Sequence, residues 1–269
     1  MKTLKSALII SILLIICSNT YAHEHASEAT YLGNEGIMID NGTTKIIFDP
    51  FFHNGFNTYQ LVPEDIRTAL FNNKAPYNDI DAIFISHAHG DHFAADDMLK
   101  FLTANPQAKL IAPNQAVTRL LALAHSEAIK KRVTAIDLSL GEQPKTIKIK
   151  HLLIEAVRIP HAGWPARADI SNLVFRVTLD DSTTIMHMGD ADPNDKHFAP
   201  YKQHWQKTRT HTAFPPYWFF SSNDGPLILD ERINTEKSIG IHVPMRVPQT
   251  LIMTDEAYFS KPGEVKPIK

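Results

Sequence analysis

Cysteine is all but missing from this chain: its 269 residues include one, Cys17. A single thiol so near the start leaves no internal disulfide and no thiolate-rich metal site, so any tight metal centre has to be built from His, Asp and Glu. The longest apolar run, Ala7–Cys17 (ALIISILLIIC), falls well short of the ~20 residues that span a bilayer. Lysine and arginine are scattered, and the formal net charge is −2, which gives no electrostatic footprint for nucleic acid. There is no Gly-x-Ser-x-Gly elbow to present a serine nucleophile, no internal repeat and no low-complexity tract. The apolar and charged fractions, 43% and 21%, are those of an ordinary globular chain.

The first 22 residues read as a secretory signal. Lys2 and Lys5 precede the apolar run, and Ser18-Asn19-Thr20-Tyr21-Ala22 supplies a cleavage region ending on a small residue. The expectation is an exported protein, periplasmic or secreted, whose mature chain runs from about His23 to Lys269 as one domain with no stable membrane span. His23-Glu24-His25 is read as a chain terminus rather than as a metal site.

What the chain has in excess is histidine, 14 in all, and three of them fall in the stretch Ser86–His92, SHAHGDH. This stretch follows Ile80–Ser86, which reads as a buried strand, and precedes helical spacing of apolar residues over Asp91–Ala104. Two histidines separated by one residue, followed by adjacent Asp91 and His92, can converge on one cation and on a neighbouring point, with Gly90 as the bend. Imidazole and carboxylate suit zinc, and equally iron or manganese.

Elsewhere, apolar segments at Gly36–Ile39 and Lys45–Phe48 flank an Asn-Gly turn, as in a meander. Lys109–Ala112, Val133–Ile136, Lys145–Lys150, Leu152–Ile159, Leu173–Thr178, Thr183–Met188 and Ser238–Val243 read as strands. Helices are expected over Gln115–His125 and Asp195–Gln206. Two clusters of strands, each followed by helices, predict two sheets face to face with helices outside, a four-layer αββα sandwich.

With Asp49 in IIFDP, His161 in RIPHAG, Asp190 in MHMGDAD and His242 in IGIHVP, the HAHGDH motif resembles the metallo-β-lactamase superfamily over most of the chain, from about Thr30 to Val247. The resemblance implies that sandwich and a dinuclear site: His87, His89 and His161 on one metal, Asp91, His92 and His242 on the other, and Asp190 bridging both. It also implies two zinc ions, with iron or manganese as alternatives. A hydroxide between the metals would attack an ester, lactone or phosphodiester of a small-molecule or lipid-like substrate, and Asp91 would orient it or take its proton. Asp49 is expected to orient a ligating imidazole through its other nitrogen. His151, His187, His197 and His204 compete with His161 and His242 on sequence grounds.

Because exported β-lactamases lack an aspartate at the bridging position, the pattern is more similar to the branch with ascorbate-phosphate lactonases and N-acyl-phosphatidylethanolamine-type phospholipases D. A β-lactam hydrolase, an iron-containing redox member and a binding protein that kept only the fold are the alternatives. The aromatics Phe51, Phe52, Trp164, Tyr217 and Trp218 are candidates either for a pocket wall or for the core.

Overall fold

The structure is a computed structural model that describes residues 26–268. The expected signal segment and His23-Glu24-His25 lie outside the described residues.

Strands β1 (Glu28–Gly33), β2 (Gly36–Asp40) and β3 (Lys45–Phe48) form the expected antiparallel meander. Strands β4 (Ala82–Phe84), β5 (Lys109–Pro113) and β6 (Val133–Ile136) extend it in parallel, and β13 (Val265–Pro267) closes the other edge beside β1. A second sheet holds β7 (Lys145–Ile149), β8 (Leu152–Arg158), β9 (Leu173–Leu179), β10 (Thr183–His187), β11 (Thr210–Phe214) and β12 (Thr235–Ser238), in the order β12-β11-β10-β9-β8-β7.

Side chains alternate across a strand, so a strand covered on both faces reads as a continuous apolar run. Strand β4 shows this directly: Ala82 and Phe84 face the second sheet, while Ile83 joins the cluster under the helices. Three apolar clusters result, and they define four layers. One lies between the sheets and includes Phe48, Phe84, Phe175 and Phe214. A second packs α1 (Glu64–Phe71), α2 (Ala95–Ala104) and α3 (Asn114–Leu123) on the first sheet. A third packs the later helical turns, through Phe198, Trp205 and Phe219, on the second sheet. Under those turns the buried Arg176 guanidinium pairs with Glu155 at 2.6 and 2.9 Å and donates to the carbonyls of Trp205 and Thr208. The αββα expectation holds.

Several boundaries differ, each for a physical reason. The helix expected over Asp195–Gln206 splits into Asp195–Phe198, a tight turn at Ala199–Tyr201, and Lys202–Trp205, because Pro200 has no N–H to continue the ladder. Helix α2 starts only at Ala95, since Asp91 and His92 form a turn and Phe93 bridges Phe51. The strand expected over Ser238–Val243 ends its ladder at Ser238, and Gly240 and Ile241 continue only as single bridges to Tyr258 and Pro216. The expected Asn-Gly turn is wider, with Asp40 pairing Lys45 and the Asn41 side chain accepting from the Thr43 and Thr44 amides.

Candidate metal centre

Five chain segments deliver polar side chains to one end of the sandwich, each just past a strand or a bridged residue. Asp49 follows β3, Ser86–His92 follow β4, His161 follows β8, Asp190 follows β10, and His242 follows the bridged Ile241. The loops are tied to one another. Ala162 N donates to Asp190 O at 2.7 Å, Leu173 N to Ser86 O at 2.9 Å, and His242 N to Asn34 O at 3.0 Å. Asn172 acts as a staple, accepting from Asp190 N at 3.0 Å and donating to Met188 O at 3.2 Å.

Gly189 is indispensable to that approach. Its φ is +53°, and a Cβ there would lie 2.7 Å from Ser86 Cβ and against the Asn172 side chain. Gly90 has no such role: its φ lies outside the left-handed region, and a Cβ would meet only Asn54 Cβ at 3.7 Å. The bend in SHAHGDH therefore does not depend on glycine, which corrects the sequence reading. It is set by Phe93 N donating to His89 O at 2.9 Å and by Ala94 N donating to Phe51 O at 2.7 Å. His242 and Asp49 themselves adopt left-handed φ values of 59° and 40°, conformations that cost non-glycine residues free energy and persist where the surroundings enforce them.

All seven expected ligands come together. His87 Nε2 and His161 Nε2 lie 3.0 and 3.1 Å from His89 Nδ1. Asp190 divides its two oxygens: Oδ2 is 3.1 Å from His161 Nε2 and 3.9 Å from His87 Nε2, whereas Oδ1 is 3.0 Å from His242 Nε2 and 3.3 Å from His92 Nε2. Asp91 Oδ2 stands 3.6 Å from His92 Nε2 and 3.8 Å from His242 Nε2. Asp49, expected beside this set, accepts from His92 Nδ1 at 2.9 Å and from the Ser86 amide at 2.8 Å.

The protonation chemistry fits divalent cations. His161 Nδ1 is 2.7 Å from Ala162 O and must carry a hydrogen, so in the neutral ring Nε2 presents a lone pair. Burial, reinforced by His92, holds His87 well below the usual imidazole range. Burial and then His161 lower His89. His87, His89 and His161 thus aim ring nitrogens at one point, where His89 Nδ1 can hydrogen-bond only one of its two neighbours. Burial raises Asp190, but His242 and His92 outweigh it and hold the carboxyl well below the carboxylate range. His92 Nε2, His242 Nε2 and Asp190 Oδ1 are buried with no aligned hydrogen-bond partner, a cost that a bound cation would remove. The donor set is all nitrogen and oxygen, as zinc, iron and manganese accept.

The competing histidines lie elsewhere. His204 Nε2 is 2.7 Å from Glu155 Oε1, and His197 faces Asp192 at 3.8 Å. His187 stacks on Phe48 and donates from Nε2 to Glu35 O at 3.0 Å. His151 is exposed in the turn between β7 and β8. Among the aromatics, Phe51 stacks on Phe71 and meets Phe101 at a tilt in the core, and Trp164 packs on His197. Trp218 lies 5.1 Å from the His242 ring.

Three neighbours escaped sequence reasoning. Tyr59 sets its ring edge-on to His242, with centroids 4.1 Å apart. Asn34 donates from Nδ2 to Asp91 O at 2.9 Å. Glu35 is fully buried, with Oε2 3.8 Å from His92 Nδ1 and neither oxygen hydrogen-bonded. Burial, followed by Asp190, raises its pKa well above the carboxylate range. In sequence, Gly33-Asn34-Glu35-Gly36 looks like a solvent-facing hairpin turn, and nothing there marks it as interior.

Residues 28–203 match the beta-lactamase superfamily domain. A metal-dependent hydrolase of Pyrococcus furiosus is 28% identical over 166 residues, 61% of this chain and 61% of that one. An N-acyl-phosphatidylethanolamine-hydrolyzing phospholipase D of Caenorhabditis elegans is 21% identical over 254 residues, 84% of this chain and 66% of its own length. The chain thus spans less than two thirds of either relative. Igni18, a metallo hydrolase from the archaeon Ignicoccus hospitalis, shares the fold with a TM-score of 0.60 at 16% identity, over 90% of this chain and 97% of its own. The matched domain takes in more than half of the sequence, and the chain belongs to the metallo-β-lactamase superfamily.

Proposed function

We propose that this protein is an exported hydrolase that uses two divalent metal ions, zinc by our assignment, to cleave an ester, lactone or phosphodiester bond. The observation that carries the reading is the division of Asp190, with one oxygen turned to His87 and His161 and the other to His92 and His242. His87, His89 and His161 with Asp190 Oδ2 would hold one ion; Asp91, His92 and His242 with Asp190 Oδ1 would hold the other. When bound, two such cations supply Lewis acidity, acidifying water and polarising a carbonyl or phosphoryl oxygen.

The chain's own residues do the rest. Asp91 receives the proton of the attacking water, its loop fixed by the Asn34 side chain on its carbonyl. Asp49 and the Ala162 carbonyl hold the Nδ1 hydrogens of His92 and His161, so that each ring offers Nε2 in a fixed direction. Tyr59 and Trp218 wall the His242 side. Burial and then Asp190 raise the Tyr59 phenol, so it stays a neutral donor. The phosphodiester option draws support from the C. elegans relative, whose name gives it hydrolysis of N-acyl-phosphatidylethanolamine.

The test is a panel on zinc-loaded protein lacking residues 1–22: an aryl phosphodiester, a lactone, a thioester and a β-lactam. Turnover of the first or second, lost in Asp91→Ala and His89→Ala, is the expected result. Turnover of the β-lactam alone would overturn the substrate assignment, and native protein holding mainly iron would overturn zinc. Fractionation of expressing cells is expected to place the chain outside the cytoplasm.

A further inference from the structure

Beside His89 lies a cavity of about 400 Å³, walled by the exposed face of α3 and by the segment carrying Asp169 and Ile170. The far wall is fixed by Gln115, whose Nε2 donates to Asp169 O at 2.7 Å and whose Oε1 accepts from Ser171 N at 3.0 Å. The near wall carries Arg119. Its Nη1 donates to the carbonyl of Ala88, the residue between the first two histidines of the motif. With that bond made, its other N–H groups have no protein acceptor among the described residues, and the side chain lines the cavity. Arg119 forms no ion pair among the described residues, although Asp169 lines the same cavity. An arginine fork anchored by one hydrogen bond, with the rest of its donors open, matches the paired oxygens of a phosphate or carboxylate.

We propose that this cavity is an oxyanion subsite, in which Arg119 receives a phosphate or carboxylate group of the substrate while the scissile bond lies at the metal centre. Asp169 faces the same space and suits a hydroxyl or ammonium donor on the same substrate portion. The proposal rests on the hydrolase reading and narrows it to substrates that carry a negative charge near the bond cleaved.

The test uses matched substrate pairs on metal-loaded full-length mature chain. One pair is a 4-nitrophenyl ester with a free carboxylate on its acyl chain and the same ester methyl-capped. The other is a 4-nitrophenyl ester with a phosphate monoester on its acyl chain and the same ester with that phosphate dimethyl-capped. Arg119→Gln is expected to lower the charged-over-neutral ratio of kcat/KM by about tenfold, mainly through KM, and Arg119→Lys is expected to restore part of it. The pair that shows the larger change identifies the anion. An unchanged ratio, or equal losses on both members as from a disturbed His87–His89 loop, overturns the proposal. Titration with inorganic phosphate gives a readout that does not need turnover. Binding at least about fivefold weaker in Arg119→Gln than in wild type supports the subsite even if no pair is hydrolysed, whereas equal binding overturns it.

Discussion

His92 Nδ1 donates to Asp49 Oδ2 across 2.9 Å, with both side chains almost fully buried. The same carboxylate accepts from the Ser86 amide and hydroxyl, so its acceptors are committed before any ligand arrives. The pairing holds a hydrogen on His92 Nδ1 and turns Nε2 towards Asp190. Asp49→Asn keeps the shape but can present an N–H to the imidazole in place of an acceptor. We expect it to weaken metal affinity by roughly 10–100-fold. Competition against a colorimetric zinc chelator measures this, and wild-type affinity in the variant would remove Asp49 from the account.

The two glycines of the site separate cleanly. Gly189→Ala forces a Cβ into Ser86 and Asn172 at a positive φ, so we expect about 2–4 kcal/mol of destabilisation together with loss of metal binding. Gly90→Ala makes only an ordinary van der Waals contact with Asn54 Cβ at 3.7 Å and is expected to stay within about 0.5 kcal/mol of wild type. Urea unfolding of the two variants decides the comparison. Equal destabilisation would contradict the packing described around Gly189.

Glu35 predicts a pH dependence. Its folded pKa is raised by burial and by Asp190, above its value in the unfolded chain. Such a group favours folding fully only below the unfolded pKa, and the contribution is lost as pH rises toward and through the folded value. In chelator-treated protein, Glu35→Gln is therefore expected to unfold at higher temperature than wild type in mildly alkaline buffer, with the gap narrowing as pH falls towards about 4. Melting curves at several pH values measure it. A gap that widens on acidification would show that the Glu35 carboxyl is stabilised in its charged form.

How much of this was legible in sequence follows from where each signal sits. The sandwich was readable because β4 and β9 are buried on both faces, β4 as a continuous apolar run and β9 as one interrupted only by Arg176 and Thr178. The ligand set was readable because imidazoles and carboxylates cluster at strand ends. Strand β11 was not, since Thr210 and Thr212 look polar until their hydroxyls are seen to reach the Ile233 and Ile268 carbonyls. Glu35 and Tyr59 were invisible for a related reason: they meet His92 and His242 only through tertiary contact, across tens of residues of chain. The glycine that matters was misplaced as well. A glycine inside a motif draws attention, but the requirement for one arises where two loops touch, at Gly189.

The central claim is that seven side chains, divided by Asp190, hold two cations. Elemental analysis of metal per chain, on protein purified without added chelator, tests it most directly. Wild type is expected to hold close to two divalent ions, and the His242→Ala, Asp91→Ala double variant, which keeps His87, His89, His161 and Asp190, close to one. One ion or none in wild type, or two in the double variant, would contradict it.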